Sequence, residues 1–157
     1  MAKDSMKLVV FTMETDQTVY EYGIPIEQVQ EITRPNKITK LPGMPAFVEG
    51  VMNLRKSVIP VVDIKKRFDI GITTAKDTTR IIVVQVNGQR CGLIVDDILE
   101  IIPVAAEDME QTPSFAGGIG SEYIIGIGKV DDRLIIALDM DKILTGNEKK
   151  ELGKISD

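Results

Sequence analysis

The fold is decided by one stretch, Gly50-Val51-Met52-Asn53-Leu54-Arg55-Lys56-Ser57-Val58-Ile59-Pro60-Val61-Val62-Asp63-Ile64. Two apolar runs rich in β-branched residues flank a short polar turn, and this pattern predicts the two strands of a hairpin. Asp63 follows the second run and is typical of a helix N-cap residue. It predicts a short helix that ends at Phe68. Arg55 lies at the tip of the turn, where its guanidinium reaches water or a partner more easily than the core.

The same pattern occurs a second time in the chain. Gly50 to Phe68 aligns without a gap on Gly126 to Leu144, so both segments predict strand, turn, strand and capped helix. Gly23 to Ile32 aligns in the same way on Gly92 to Ile101. We therefore interpret the chain as a diverged internal duplication.

The duplicated unit predicts the fold class. Each repeat carries about five short strands and no long helix, which is typical of a small barrel that curls to protect its edges. We expect an all-β fold with short helices, in which two small five-stranded β-barrel lobes of SH3-like type pack on a shared hydrophobic core. The single domain spans residues 1–157. Its first lobe is expected at 15–80 and its second at 81–145, with the N-terminal strand a candidate for sharing, and a charged tail at 146–157.

Composition excludes several partners. The formal net charge of -5 argues against nucleic acid, because binding to phosphates depends on Lys and Arg. No apolar run approaches the roughly 20 residues of a membrane helix, so direct membrane insertion is not expected. The N-terminus lacks the apolar region of a signal peptide, and we expect a cytoplasmic protein.

Catalytic chemistry has little support in the sequence. The chain has no His, which rules out a Ser-His-Asp triad and a His-based zinc site, and Cys91 in its apolar run is expected to be buried. The glycine-rich segments 117–120 and 126–129 do not fit a phosphate-binding loop. Asp96-Asp97 and Asp131-Asp132 are interpreted as capping or turn residues. We expect no enzyme activity, no cofactor and no metal.

Arg55 is the strongest candidate for a binding residue. Its counterpart in the second repeat is Asp131, so the scaffold does not itself require Arg at the tip. A planar guanidinium at an exposed corner suits anchoring to another protein, although a solvated turn residue is the alternative. Val29 and Ile98 occupy matching repeat positions, where they could line a groove for an amphipathic helix or pack in the core.

Five motifs share one register between Leu8 and Leu144. They are Asn53-Leu54-Arg55, Val58 to Asp63, Val29-Gln30-Glu31-Ile32, Pro45 to Gly50, and Gly92 to Asp96. In this combination they resemble the signature of CheW, the coupling protein family of bacterial chemotaxis. The resemblance implies two CheW-like barrels on a common core and a non-catalytic adaptor. Such adaptors link the cytoplasmic tips of methyl-accepting chemoreceptors to the histidine kinase CheA.

The resemblance also implies roles for individual residues. The family's kinase-binding residues correspond to Glu31, Ile32, Gly50 and Arg55. Its receptor-binding groove corresponds to Val29, Ile98 and Ile101. Phe115 corresponds to an aromatic residue that helps to close rings of kinase and adaptor.

One position departs from the family pattern. The family usually has Gly after the turn Arg, and this chain has Lys56. If that position needs a positive φ, Lys costs about 1 kcal/mol; alternatively the turn type differs and a second cation joins Arg55. We expect Lys56 to be tolerated and exposed. Other interpretations are a CheV-like adaptor, another scaffold of this fold outside chemotaxis, the kinase's own regulatory domain, or a small-ligand-binding barrel.

Overall fold

The computed structural model describes residues 5–15, 18–86, 88–111 and 123–143. These residues form mainly short strands. The strands are β1 Ser5–Thr15, β2 Thr18–Pro25, β3 Val29–Thr33, β4 Ile38–Thr39, β5 Val48–Leu54, β6 Ser57–Asp63, β7 Arg80–Val86, β8 Gln89–Val95, β9 Asp97–Ala105, β10 Met109–Glu110, β11 Ile124–Val130 and β12 Arg133–Leu138. The α-helices are α1 Ile64–Arg67 and α2 Met140–Ile143, and single 3-10 turns occupy Ile26–Gln28 and Ala106–Asp108.

The strands form two sheets of equivalent topology. From edge to edge, sheet A has the order β10-β11-β12-β2-β1-β9 and sheet B the order β4-β5-β6-β8-β7-β3. Every strand of the first half therefore takes the place in one sheet that its counterpart from the second half takes in the other. The topology confirms the internal duplication. We call sheet A with α2 lobe A, and sheet B with α1 lobe B.

The expected lobe boundaries, 15–80 and 81–145, do not match the sheets. The hairpin β1–β2 of the first half lies in lobe A, where β2 pairs in parallel with β12. The hairpin β7–β8 of the second half lies in lobe B, where β8 pairs in parallel with β6. The two halves thus exchange their first hairpins. A hairpin satisfies its own inner hydrogen bonds locally, so its sequence does not indicate which distant strand it joins.

The predicted shared core is confirmed. One buried cluster draws on both sheets and joins the lobes, while each lobe keeps a smaller cluster of its own. Successive side chains of strand β7 point to opposite faces of the sheet. Ile82 and Val84 therefore enter the shared core, and Ile81 and Val83 enter the cluster of lobe B. Each sheet has six strands because a two-residue strand, β4 or β10, extends one edge. The mainly β fold of two packed lobes is as predicted.

Several local predictions are also confirmed. The Asp63 carboxylate accepts a hydrogen bond from the Lys65 backbone N–H at 3.0 Å, which caps α1. Cys91 is buried, and burial raises the pKa of its thiol to about 12. The expected charged tail at 146–157 lies outside the described residues. Within the described ranges, no helix has the length and apolar character needed to cross a bilayer.

Candidate protein-binding surfaces

The tip of the β5–β6 hairpin holds its arginine in an uncommon backbone conformation. Leu54 pairs with Ser57, so Arg55 and Lys56 form a two-residue turn, and Arg55 has a φ of 58°. Lys56 is exposed, as predicted, and its φ is not positive. Of the two alternatives for Lys56, the strained one does not occur, because the residue in the left-handed region is Arg55. Asp131, the counterpart of Arg55, has a φ of 54°.

Arg55 and Glu31 contact each other through two hydrogen bonds. Arg55 Nη1 donates to Glu31 Oε1 at 2.6 Å, and Nη2 donates to Oε2 at 3.3 Å. Glu31 lies in β3, the edge strand of sheet B, so the pair connects the hairpin tip to the far edge of the same lobe. The Arg55 side chain remains 74% exposed and that of Glu31 27% exposed. The guanidinium is thus oriented by one carboxylate while most of its surface stays open.

The other two residues of the predicted kinase surface differ sharply from each other. Ile32 is 41% exposed and lies next to Glu31 on the edge strand. Gly50 is buried, with a φ of 145°, and a Cβ placed there would come within 2.2 Å of the Thr39 carbonyl oxygen. Gly50 therefore presents no side chain to a partner. Its place at the irregularity of β5 allows β4 to approach closely.

Two of the three residues predicted for the receptor groove pack against the same core cluster. Val29 of β3 and Ile98 of β9 are half-buried, and both pack against the shared core, one from each lobe. Ile101 is 53% exposed and lies further along β9. Val29 and Ile98 therefore occupy equivalent margins of the lobe junction, and Ile101 adds an apolar side chain outside it. Phe115 lies outside the described residues.

A buried ion pair at the lobe junction was missed by the sequence reasoning. Lys65 Nζ lies 2.8 Å from Asp96 Oδ2, with side-chain exposures of 7% and 2%. Asp96 Oδ2 also accepts the Glu14 backbone N–H at 2.7 Å, which ties α1 of lobe B to β1 of lobe A. From the sequence, Asp96 is interpreted as a capping or turn residue, and Lys65 is assigned no role. Only their approach in space, across the hairpin exchange, identifies them as partners.

Arg67 and two aromatic rings form a second junction feature. The Arg67 guanidinium carbon lies 5.0 Å from the centroid of Phe47 and 5.2 Å from that of Tyr123. Both distances fit cation–π contacts. Tyr123 also packs on Phe68, with 5.6 Å between ring centroids.

Among the residues that the structure describes, no group of three or more His, Cys, Asp or Glu side chains is placed to hold a metal ion.

Comparison with known proteins identifies the family. The family model of the CheW-like domain matches residues 7–148. The chain belongs to the CheW-like family. Chemotaxis protein CheW of Klebsiella aerogenes is 30% identical over 142 residues, which cover 90% of this chain and 83% of that protein. Chemotaxis protein CheW of Bacillus subtilis is 32% identical, with 90% of this chain and 88% of that protein covered.

A solved CheW structure supports the same assignment. The scaffolding protein TtCheW from Thermoanaerobacter tengcongensis superimposes with a TM-score of 0.81 and 38% sequence identity. The match covers 94% of this chain and 92% of TtCheW. The two-lobed fold is therefore the CheW fold. The chain functions as a chemotaxis coupling adaptor of the CheW type.

Proposed function

We propose that this CheW-like adaptor links the cytoplasmic tips of methyl-accepting chemoreceptors to the histidine kinase CheA. It does so by binding alone, without catalysis, in the cytoplasm at receptor arrays. By holding two partners on one small body, the adaptor raises the effective concentration of each for the other.

The ion pair between Arg55 and Glu31 carries the proposal for the kinase surface. A surface ion pair of this kind contributes at most about 1 kcal/mol to folding, so stability alone gives a weak reason for it. An oriented guanidinium costs less entropy to bury against a partner than a free one. Ile32 supplies an adjacent exposed apolar side chain. The proposed kinase surface is therefore Arg55, Glu31 and Ile32, with Gly50 shaping the edge beneath them.

The receptor surface is proposed at the lobe junction. Val29 and Ile98 are accessible in part, and Ile101 extends the apolar surface along β9. An amphipathic helix of a receptor tip could place its apolar face on these residues. Phe115 is proposed as the second kinase contact, through which rings of kinase and adaptor close.

Calorimetric titration with two separate ligands tests this assignment. One ligand is the kinase's regulatory domain and the other is a receptor cytoplasmic fragment. We expect Arg55→Ala to weaken kinase binding and to leave receptor binding unchanged, and Ile101→Ser to do the reverse. Lys7→Ala is the matched control, because Lys7 is exposed and lies outside both surfaces. The separation of the two surfaces would be contradicted if either variant lost affinity for both ligands. It would also be contradicted if both variants kept full affinity for both ligands.

A further inference from the structure

Lobe A carries an exposed apolar patch on the strands β2, β11 and β12. Val19, Tyr20 and Leu134 are 58%, 41% and 60% exposed, and they line one shallow pocket with a volume of about 480 Å³. Ile127 and Ile136, which pair with each other in the sheet, are half-buried and line the same pocket. We call these five residues the outer patch. None of them belongs to the proposed kinase or receptor surface.

The internal repeat shows that the scaffold does not require this patch. The parallel pairing of β12 with β2 in lobe A has the same register as the pairing of β6 with β8 in lobe B, so the sheets define which positions are equivalent. In lobe B these positions hold Gly88, Gln89 and the half-buried Val58 in place of Val19, Tyr20 and Leu134. The same fold therefore forms with little exposed apolar surface here, and stability does not explain the apolar side chains of lobe A.

Tyr20 has a firm support within the outer patch. Its ring centroid lies 6.5 Å from that of Tyr22, and Tyr22 stacks on Phe11 in the shared core with 5.8 Å between centroids. An exposed aromatic side chain that already rests on buried rings loses little conformational entropy when a partner covers it. Tyr20 is therefore suited to act as an anchor for a partner.

The rim of the outer patch is acidic. Glu21 and Asp132 line the pocket together with Arg133. The Arg133 guanidinium is already occupied, since Nε donates to Glu21 Oε1 and Nη1 donates to Glu100 Oε2, both at 3.0 Å. Two carboxylates thus hold this one cation, and the exposed Asp132 adds a further negative charge. The net charge of this rim is therefore negative.

Lys129 does not offset the negative charge. It lies opposite Leu134 in the β11–β12 hairpin, and its Nζ contacts Glu110 Oε1 at 2.9 Å. In lobe B, the positions of Glu21 and Asp132 are held by Arg90 and Lys56. The acidic rim, like the apolar patch, is therefore particular to lobe A.

The position of β2 and β12 in the sheet restricts the kind of partner. β12 lies between β11 and β2, and β2 lies between β12 and β1. Both strands have neighbours on each side, so a partner cannot bind here by adding a strand to the sheet. It must be recognised through side chains, and an amphipathic helix presents a row of apolar side chains with charged residues beside it.

We propose that the outer patch binds an amphipathic helix of another protein, with Lys and Arg side chains beside the apolar face of that helix. The apolar face covers Val19, Tyr20 and Leu134, and the cations lie against Glu21 and Asp132. Complementary charge at the rim orients the helix, and burial of the apolar centre supplies affinity. The inference does not rest on kinase or receptor binding, and it gives the adaptor a third surface.

Synthetic peptides test the proposal with the full chain. The probe is a fluorescent peptide of Leu and Lys, about four helical turns long, with Leu on one face and Lys on the other. A Leu/Glu peptide of the same pattern controls for charge, and a Ser/Lys peptide controls for the apolar face. Fluorescence anisotropy measures the three affinities.

Two variants alter the outer patch and its rim separately. Val19→Ser/Leu134→Ser removes apolar side chains, and Ile72→Ser/Leu41→Ser is its matched control, because Ile72 and Leu41 are exposed apolar residues of lobe B. Asp132→Lys reverses the charge of the rim. Its control is Asp77→Lys, an equal change of charge at an exposed position between α1 and β7. Circular dichroism checks that each variant is folded.

We expect the Leu/Lys peptide to bind the unaltered chain and both control variants with equal affinity. Val19→Ser/Leu134→Ser and Asp132→Lys should each weaken its binding by about tenfold or more. The Leu/Glu and Ser/Lys peptides should bind the unaltered chain at least about tenfold more weakly. The proposal would be overturned by failure of the Leu/Lys peptide to bind, by equal affinity for the three peptides, or by full affinity in either patch variant. Association of the chain with itself that Val19→Ser/Leu134→Ser abolishes would make the occupant a second copy, and would also overturn it.

Discussion

Lys65 and Asp96 form a buried ion pair, 2.8 Å from Nζ to Oδ2, where helix α1 of lobe B meets the crossing of the chain from β8 into β9. The same carboxylate oxygen accepts the Glu14 backbone N–H of β1. One carboxylate therefore holds an ammonium from one lobe and an amide from the other. The pair fixes the relative placement of α1 and β1.

Removal of either partner is expected to destabilise the protein strongly. Lys65→Met leaves Asp96 buried without its cation, and we expect a loss of about 3 kcal/mol or more in the free energy of unfolding. Lys65→Met/Asp96→Asn removes both charges and should recover part of that loss. Urea unfolding monitored by circular dichroism gives both values. The account would be wrong if the double variant were as unstable as the sum of the two single variants.

Substitution of Gly50 is expected to lower the stability of the fold through a packing clash. A methyl group there would collide with the Thr39 carbonyl oxygen, and φ is 145°, so Gly50→Ala should cost about 2 kcal/mol or more. Gly43→Ala is the control, because Gly43 has a φ of 81° but no atom near the added methyl group. It should cost only about 1 kcal/mol. Equal losses for the two variants by urea unfolding would show that backbone conformation alone, and not the contact with β4, determines the requirement at Gly50.

Arg55 allows folding and recognition to be separated. Arg55→Gly removes a left-handed Arg, which relieves about 1 kcal/mol, and removes an exposed ion pair worth at most about 1 kcal/mol. We therefore expect little change in the thermal midpoint, together with a clear loss of affinity for the kinase's regulatory domain. Asp131→Gly at the equivalent tip should leave kinase affinity intact. A large fall in the thermal midpoint of Arg55→Gly would instead make Arg55 a structural residue.

Cys91 gives a prediction in alkaline solution. Burial raises the pKa of its thiol from the ordinary 9.0 to about 12, so the folded chain holds the proton after the unfolded chain has lost it. The protonated Cys91 thiol makes its full contribution to the free energy of unfolding below pH 9.0, and this contribution is lost as the pH rises to about 12. Urea unfolding of Cys91→Ala should show a shallower fall of stability with pH over this range. Thiol reagents should label Cys91 only as the protein unfolds, and fast labelling of the native protein would contradict the burial.

The parts of the fold that depend on neighbouring residues were predictable. The β5–β6 hairpin, the Asp63 cap, the burial of Cys91 and the repeat all follow from local patterns of apolar and polar residues. The exchange of hairpins between lobes was not predictable, because β1–β2 and β7–β8 satisfy their inner hydrogen bonds in the same way whichever sheet they join.

The candidate sites divide in the same way. Arg55 could be singled out because its repeat counterpart is an acid, and Val29 and Ile98 because they match each other. Gly50 was assigned to a surface, yet its close approach to Thr39 is a backbone contact that only the paired strands reveal. The contacts of Arg55 with Glu31 and of Lys65 with Asp96 join residues far apart in sequence. No pattern in a single chain indicates such pairs.

The exchange of hairpins has a consequence for any attempt to isolate one lobe. A chain cut between Phe68 and Arg80 gives a first fragment that lacks the interior strands β7 and β8 of sheet B, and a second fragment that lacks the interior strands β1 and β2 of sheet A. Neither fragment contains all the strands of either sheet. The two lobes are therefore distinct in architecture, but each half of the chain needs strands from the other half to complete its sheet.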